Sequence, residues 1–109
     1  MSFQNQNAFN PDDVWKKATI VPNVDPKVWR KDYAGAWIKY DDYGKTTNYA
    51  WEVDHRKPVS KGGTDNLANL DPLHWENNRT KCDDYPKWQT SVSSSGNTNI
   101  QLTRDWHVS

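Results

Sequence analysis

The chain has 109 residues, with 14 Lys and Arg against 14 Asp and Glu and a mean hydropathy of −1.11. That allows one small domain and excludes a globally basic nucleic-acid-binding surface, so any phosphate-attracting face must be local. The single cysteine, Cys82, excludes an intrachain disulfide and a Cys-pair zinc site, and fits a reducing, cytoplasmic setting.

The opening MSFQNQNAFNPDD has no basic segment leading into an apolar one, so no signal peptide is expected, and no run is apolar enough to span a membrane. Hydrophobic residues make up only 34% of the chain. The aromatic residues must therefore carry much of the core, since each buried ring removes about 150–250 Å² from water. Trp15, Trp29, Trp37, Trp51, Trp75, Trp88 and Trp106 are spread along the whole sequence and read as core anchors. Stacking on nucleobases is the other use open to one or two of them.

In chain order, residues 1–10 are a polar, loosely ordered lead-in. Asp12-Asp13 before VWKKAT marks a short helix start, the acids suiting its positive end. Pro22 and Pro26 punctuate an extended turn, with a second helical piece expected near 26–32. Two aromatic or β-branched segments, about 35–40 and 48–55, read as the strands of a hairpin joined by a polar loop carrying Gly44. KPVSKGGTDNLAN is a loop, with Gly62-Gly63 as a turn requiring positive φ. LDPLH is a candidate brief strand, and His74 to Cys82 permits a helix. SVSSSGNTN reads as a linker and IQLTRDWHV as a final strand. The expected fold is a small α+β domain, a hairpin followed by a helix, with short N-terminal helical segments and a C-terminal extension over 89–109.

The chemistry concentrates in Tyr49–Lys81. Neighbours on a strand point to opposite faces, so Asp54 and His55 can serve one site only where the strand ends, and Pro58 makes an end there plausible. On a helix, His74, Asn78 and Lys81 at i, i+4 and i+7 share a face, with Trp75 and Arg79 on the next stripe. Asp54 and Asn78 offer two hard oxygen ligands suited to Mg²⁺ that retains waters and meets a substrate phosphate. His55 is placed to take a proton from an attacking water. Lys81 and Arg79, with the local cluster Arg56, Lys57 and Lys61, can neutralise phosphate. These are the parts of metal-assisted phosphodiester hydrolysis. Each has a plainer reading alone: an Asp-His pair as a surface ion pair, a lone Asn as a cap or turn residue, a basic stripe as a solvated helix face. Cys82 and His107 read as structural or incidental, and the sequon Asn78-Arg79-Thr80 as chance.

EVDHRKPVSKGGTDNLANLDPLHWENNRTK resembles the motif of the HNH endonucleases, the ββα-metal or His-Me finger of many bacterial and phage nucleases. The matching elements are Asp54-His55, Pro58, Gly62-Gly63, Asn69-Leu70, and Asn78 with Lys81 three residues on. The motif core spans 49–83 of a single domain over 1–109. The resemblance implies His55 as general base, and Asp54 and Asn78 as ligands of one divalent ion, usually Mg²⁺, with Mn²⁺ as the alternative. It implies Asn69 as the residue that holds the catalytic loop, with Asn66 a weaker competitor, and Lys81 as a phosphate contact. The implied products carry a 5′-phosphate and a 3′-hydroxyl.

Many members also hold a structural zinc with two Cys pairs. One of those pairs falls here on His74 and Asn77 and no upstream pair exists, so no zinc is expected. Trp packing and the terminal segments are expected to take over its role, which leaves His74 as a third metal ligand, a phosphate contact or a packed residue. The implied function is an endonuclease nicking or cutting DNA, of phage, mobile-element or defence origin. A ribonuclease or toxin-like nuclease and a non-catalytic nucleic-acid-binding module on the same fold are the alternatives.

Overall fold

The computed structural model describes residues 9–108, so the loose lead-in expected over 1–10 falls almost wholly outside the described residues. Helix α1 (Pro11–Trp15) begins where the Asn10 side chain accepts the Asp12 N–H, with Asp12 and Asp13 in the first turn. It buries Val14 and Trp15.

Strands β1 (Trp29–Lys31) and β2 (Trp37–Lys39) form an antiparallel ribbon, closed by a turn in which the Asp32 N–H donates to the Ala36 carbonyl and Asp32 Oδ1 accepts the Ala36 N–H. The helical piece expected over 26–32 is therefore one turn at Asp25–Trp29, in which the Asp25 carbonyl accepts from Val28 and Trp29. It gives way to strand because Arg30 pairs across to Ile38, which is buried.

Strands β3 (Trp51–His55) and β4 (Leu70–His74) pair over their whole length, from Trp51 opposite His74 to His55 opposite Leu70. The two segments expected to form one hairpin thus belong to different ribbons: β2 pairs back to β1 and β3 pairs forward to LDPLH. Pro72 is tolerated in β4 because this sheet has two strands, so each keeps an open edge. Helix α2 (Trp75–Lys81) follows β4 directly, giving the ββα order.

The SVSSSGNTN stretch, read as a linker, is instead structured. Strands β5 (Lys87–Gln89) and β8 (Asp105–His107) pair, as do β6 (Val92–Ser95) and β7 (Thr98–Gln101). The alternation of small polar residues hid β6, whose Val92 and Ser93 are buried.

The β3–β4 ribbon lies between two apolar clusters. On one face Trp51 and Leu70 pack with Val14, Trp15, Ala18 and Ile38; on the other Leu73 packs with Trp88 and Val108, flanked by Tyr33 and Trp106. Trp15, Trp37, Trp51 and Trp88 are buried, as expected of core anchors, whereas Trp29, Trp75 and Trp106 are half-buried. Trp15, Trp37, Trp51 and Trp75 each also donate the indole N–H to a backbone carbonyl of another segment. No helix among the described residues is long and apolar enough to cross a membrane.

A buried polar hub joins these parts. Asp32 Oδ2 accepts from the His74 N–H at 2.9 Å and from Asn77 Nδ2 at 3.1 Å. Asn77 in turn accepts from the Ser91 and Val92 N–H groups and donates to the Val92 carbonyl. One carboxylate and one amide thereby tie the β1–β2 turn, the start of α2 and strand β6. Burial pushes the Asp32 carboxyl up to about 6, against the hydrogen bonds from His74, Ala36 and Asn77 that favour its charged form. A folded-state value above the unfolded 3.8 makes Asp32's share of stability full below pH 3.8 and lost as pH rises through about 6. A ¹³C titration should accordingly place its carboxyl midpoint near pH 6, whereas an ordinary acidic midpoint would show that the hydrogen bonds outweigh burial. Asp32→Ala leaves three donors buried and unpaired, so urea unfolding should register a loss of at least about 3 kcal/mol.

Candidate active site at the end of β3

Pleating sends alternate β3 side chains to opposite faces. Trp51 and Val53 go into the apolar cluster, while Glu52 and Asp54 meet α2, where Glu52 accepts from Asn78 and Arg79 and Asp54 pairs with Lys81. His55 ends the strand at the rim, its side chain 25% exposed. The chain then turns: the Arg56 N–H donates to the Asn69 carbonyl at 2.8 Å and Pro58 is followed by a short helical turn, Val59–Lys61. Asp54 and His55 therefore lie at a strand terminus, as the sequence required.

Asn69 holds the loop that follows. Its Oδ1 accepts the Lys57 N–H at 2.9 Å, and its Nδ2 donates to the carbonyls of Lys57 and Thr64 at 3.1 and 2.8 Å. Gly62 has φ +91°, as a turn glycine should. Gly63 is needed for a different reason: a Cβ there would stand 1.7 Å from the Lys57 carbonyl oxygen. Asn66 has its N–H on Thr64 Oγ1 and its carbonyl on the Asn69 N–H, so it contributes backbone and not its side chain to the loop.

Lys81 departs from the expectation of a phosphate contact. It is fully buried, with Nζ 3.2 Å from Asp54 Oδ1 and donating to the carbonyls of His55 and Arg56 at 3.0 and 3.1 Å. An ammonium has three donors, and all three are taken inside the fold. Because i+7 from His74 points down onto β3, the position is interior where a sequence reading sees a solvated stripe.

His74 departs too. Its Nδ1 accepts the Glu76 N–H, capping α2, and its Nε2 meets the Asn48 carbonyl at 2.8 Å. Both ring nitrogens are thus occupied, and burial lowers its pKa, which keeps it neutral. No lone pair remains for a metal or a charge for a phosphate. Of the other expected phosphate contacts, Arg56 Nε pairs with Asp71 at 2.7 Å, Arg79 pairs with Glu52 and lies 5.0 Å from the Trp75 ring centroid, Lys61 caps the Asp83 carbonyl, and Lys57 is exposed.

The donor set for a divalent ion can be tested against these contacts. Lys81 takes Asp54 Oδ1, while Oδ2 is buried with no hydrogen-bond partner among the described residues. Asn78 uses Nδ2 on Glu52 Oε1 at 2.9 Å, which leaves its amide oxygen as the atom to offer. One orphaned carboxylate oxygen and one amide oxygen on facing elements suit a hard cation that keeps most of its waters. Among the described residues no three His, Cys, Asp or Glu side chains converge as a metal site, so a cage built wholly of such side chains does not fit. Burial raises the Asp54 carboxyl to about 6, opposed by the Lys81 ammonium. A cation on Oδ2 would favour its charged form in the same sense.

Two further side chains enter the site that sequence reasoning missed. Glu52 was legible as the residue two before Asp54 on the same strand face. Asp65, whose Oδ1 lies 2.7 Å from His55 Nε2, gave no signal beyond its place in a loop. Breaking the Lys81 pair by Lys81→Met strands the Asp54 charge and should cost roughly 3–5 kcal/mol of unfolding free energy. A solvent-facing phosphate contact at this position would change stability by less than about 0.5 kcal/mol.

Residues 39–84 match the family model described as HNH endonuclease. Searches of the curated proteins and of the solved structures returned no match. The matched stretch runs from the end of β2 to just past α2 and contains Asp54, His55, Asn69 and Asn78 in the order and on the elements described above. The ββα unit that carries them is the part of the chain that matches the HNH endonuclease family model.

Proposed function

We propose that the chain is a metal-dependent endonuclease that hydrolyses phosphodiester bonds of DNA. The observation that carries this reading is the orphaned, buried Asp54 Oδ2, one residue before the rim histidine that ends β3 and on the strand to which Glu52 ties Asn78 of α2. Burying an unpaired carboxylate oxygen is costly, and a cation is the partner that relieves the cost at a site of this chemistry. Asp54 and Asn78 would hold the ion, Mg²⁺ or Mn²⁺, which supplies positive charge to the developing phosphorane-like anion and the leaving oxygen.

The remaining steps belong to the chain. His55 removes a proton from water through a ring nitrogen, and the hydroxide so formed attacks phosphorus. The P–O3′ bond breaks, the 3′ oxygen of the upstream fragment takes a proton from solvent, and the phosphate stays on the 5′ oxygen of the downstream fragment. His55 then returns its proton to solvent. Asn69 keeps the loop in place during turnover, and Arg79 and Lys57 are the exposed cations nearest the site in sequence. DNA is favoured over RNA by the family's usual substrate, and the neutral net charge implies modest duplex affinity with a shallow salt dependence.

Purified protein incubated with supercoiled plasmid in Mg²⁺ or Mn²⁺ should relax or linearise it, with EDTA abolishing the reaction. His55→Ala should lower the rate by about 10²–10⁴-fold, and Asn78→Ala should raise the metal concentration needed. Structured RNA run alongside reads the substrate preference. Metal-dependent cleavage that survives both substitutions would sink the site, and no cleavage of either polymer would favour a binding module.

A further inference from the structure

The contact between His55 and Asp65 is held from several directions. Asp65 follows Thr64, whose carbonyl is fixed by Asn69 Nδ2 at 2.8 Å. The Gly63 N–H donates to the Pro58 carbonyl at 2.9 Å, and the absence of a side chain at Gly63 lets the loop close onto Lys57. On the other side, Lys81 holds the His55 carbonyl. Both ends of the Asp65–His55 contact are therefore set by backbone that is itself hydrogen-bonded into the fold.

The carboxylate does nothing else: among the described residues its side chain has no hydrogen-bond partner besides His55, and it is 49% exposed. An exposed ion pair alone contributes little to stability, so a rigidly aimed carboxylate with one partner is better explained by what it does to that partner. A carboxylate facing Nε2 requires a proton on that nitrogen, and a neutral ring protonated there carries its lone pair on Nδ1.

We propose that Asp65 is a positioning residue for the general base, accepting the Nε2–H of His55, fixing the plane of the ring and leaving Nδ1 as the atom that takes the proton from water. This rests on the nuclease reading given above. Proton balance is simple: water gives one proton to Nδ1, the imidazolium so formed is stabilised by the Asp65 carboxylate, and the proton leaves to solvent after cleavage. Asp65 remains ionised throughout and never touches the reacting atoms.

The test combines ¹⁵N NMR of the histidine rings with plasmid cleavage kinetics on the wild type, Asp65→Ala and Asp65→Asn, assigning His55 by its loss in His55→Ala. The side chain is half exposed and holds no other contact, so the variants should fold. In alkaline solution the wild-type His55 ring should be the Nε2–H tautomer. Asp65→Ala should mix the tautomers and lower kcat by about ten- to hundredfold, with the half-saturating plasmid concentration unchanged. Asp65→Asn retains an accepting oxygen, so it should restore the tautomer and recover part of kcat. An unchanged tautomer in Asp65→Ala overturns the proposal, as does an unchanged kcat with an altered tautomer. If the wild type cleaves nothing, the nuclease reading falls and the positioning role with it. A tautomer shift seen in that case would show that the contact is real but serves no hydrolysis.

Discussion

The site depends on one buried ammonium. Lys81 reaches from the last turn of α2 to the end of β3 and binds the Asp54 carboxylate together with the carbonyls of His55 and Arg56. Taking a lysine fully out of water is favourable only when each donor finds an acceptor and the charge finds a counter-charge, and here every requirement is met by three consecutive residues. The consequence is geometric. The strand must stop where those two carbonyls turn toward the helix, so Asp54 and His55 sit at a terminus instead of inside a ladder. By taking one carboxylate oxygen, Lys81 also orients Asp54 and leaves the other without a hydrogen-bond partner among the described residues.

The helix bearing Lys81 needs its own anchor, and this comes from Asp32 and Asn77. Asn77 and His74 are the two residues on which the resemblance placed a cysteine pair. In this chain the same place is occupied by directional hydrogen bonds: Asp32 to the His74 N–H and to Asn77, and Asn77 onward to both sides of Val92. The hub draws the β1–β2 turn and strand β6 onto the start of α2. It explains why the segments before and after the matched stretch are folded against the ββα unit and not appended to it. Its Asp32 is buried without a full counter-charge, which raises its pKa.

Much of the site was legible in the sequence because it is built from residue types with narrow uses. An Asp-His pair before a proline, a Gly-Gly turn, an Asn before Leu70 and an Asn on a short helix occur in an order that the folded chain places as expected, and Asn69 grips the loop. What failed were inferences from solvent patterning. A lysine on an Asn-rich helix face looks exposed, yet the face is the one turned to β3. His74 looked available because nothing in the sequence announces that its two nitrogens cap a helix and bind the Asn48 carbonyl. Strand pairing failed for a related reason. Proximity in sequence favoured a hairpin between the segments near 38 and 53, while burial of Leu70 and Leu73 gave LDPLH the better partner for β3. Asp65 was hidden because a single acid in a loop has no sequence signature, whereas Glu52 could have been found from its place two residues before Asp54 on the same strand face. Only the return of the chain onto His55 gives Asp65 a meaning.

The account turns on a single divalent ion held between Asp54 and Asn78 beside His55. A Mn²⁺ titration of isotope-labelled protein, followed by paramagnetic broadening at substoichiometric metal, locates that ion without reference to any substrate. The Asn78 side-chain amide and the His55 ring should broaden first and together, and Asp54→Ala should abolish the effect. Broadening centred instead on another acidic cluster such as Asp41-Asp42, or loss of no signal at all, would contradict the account.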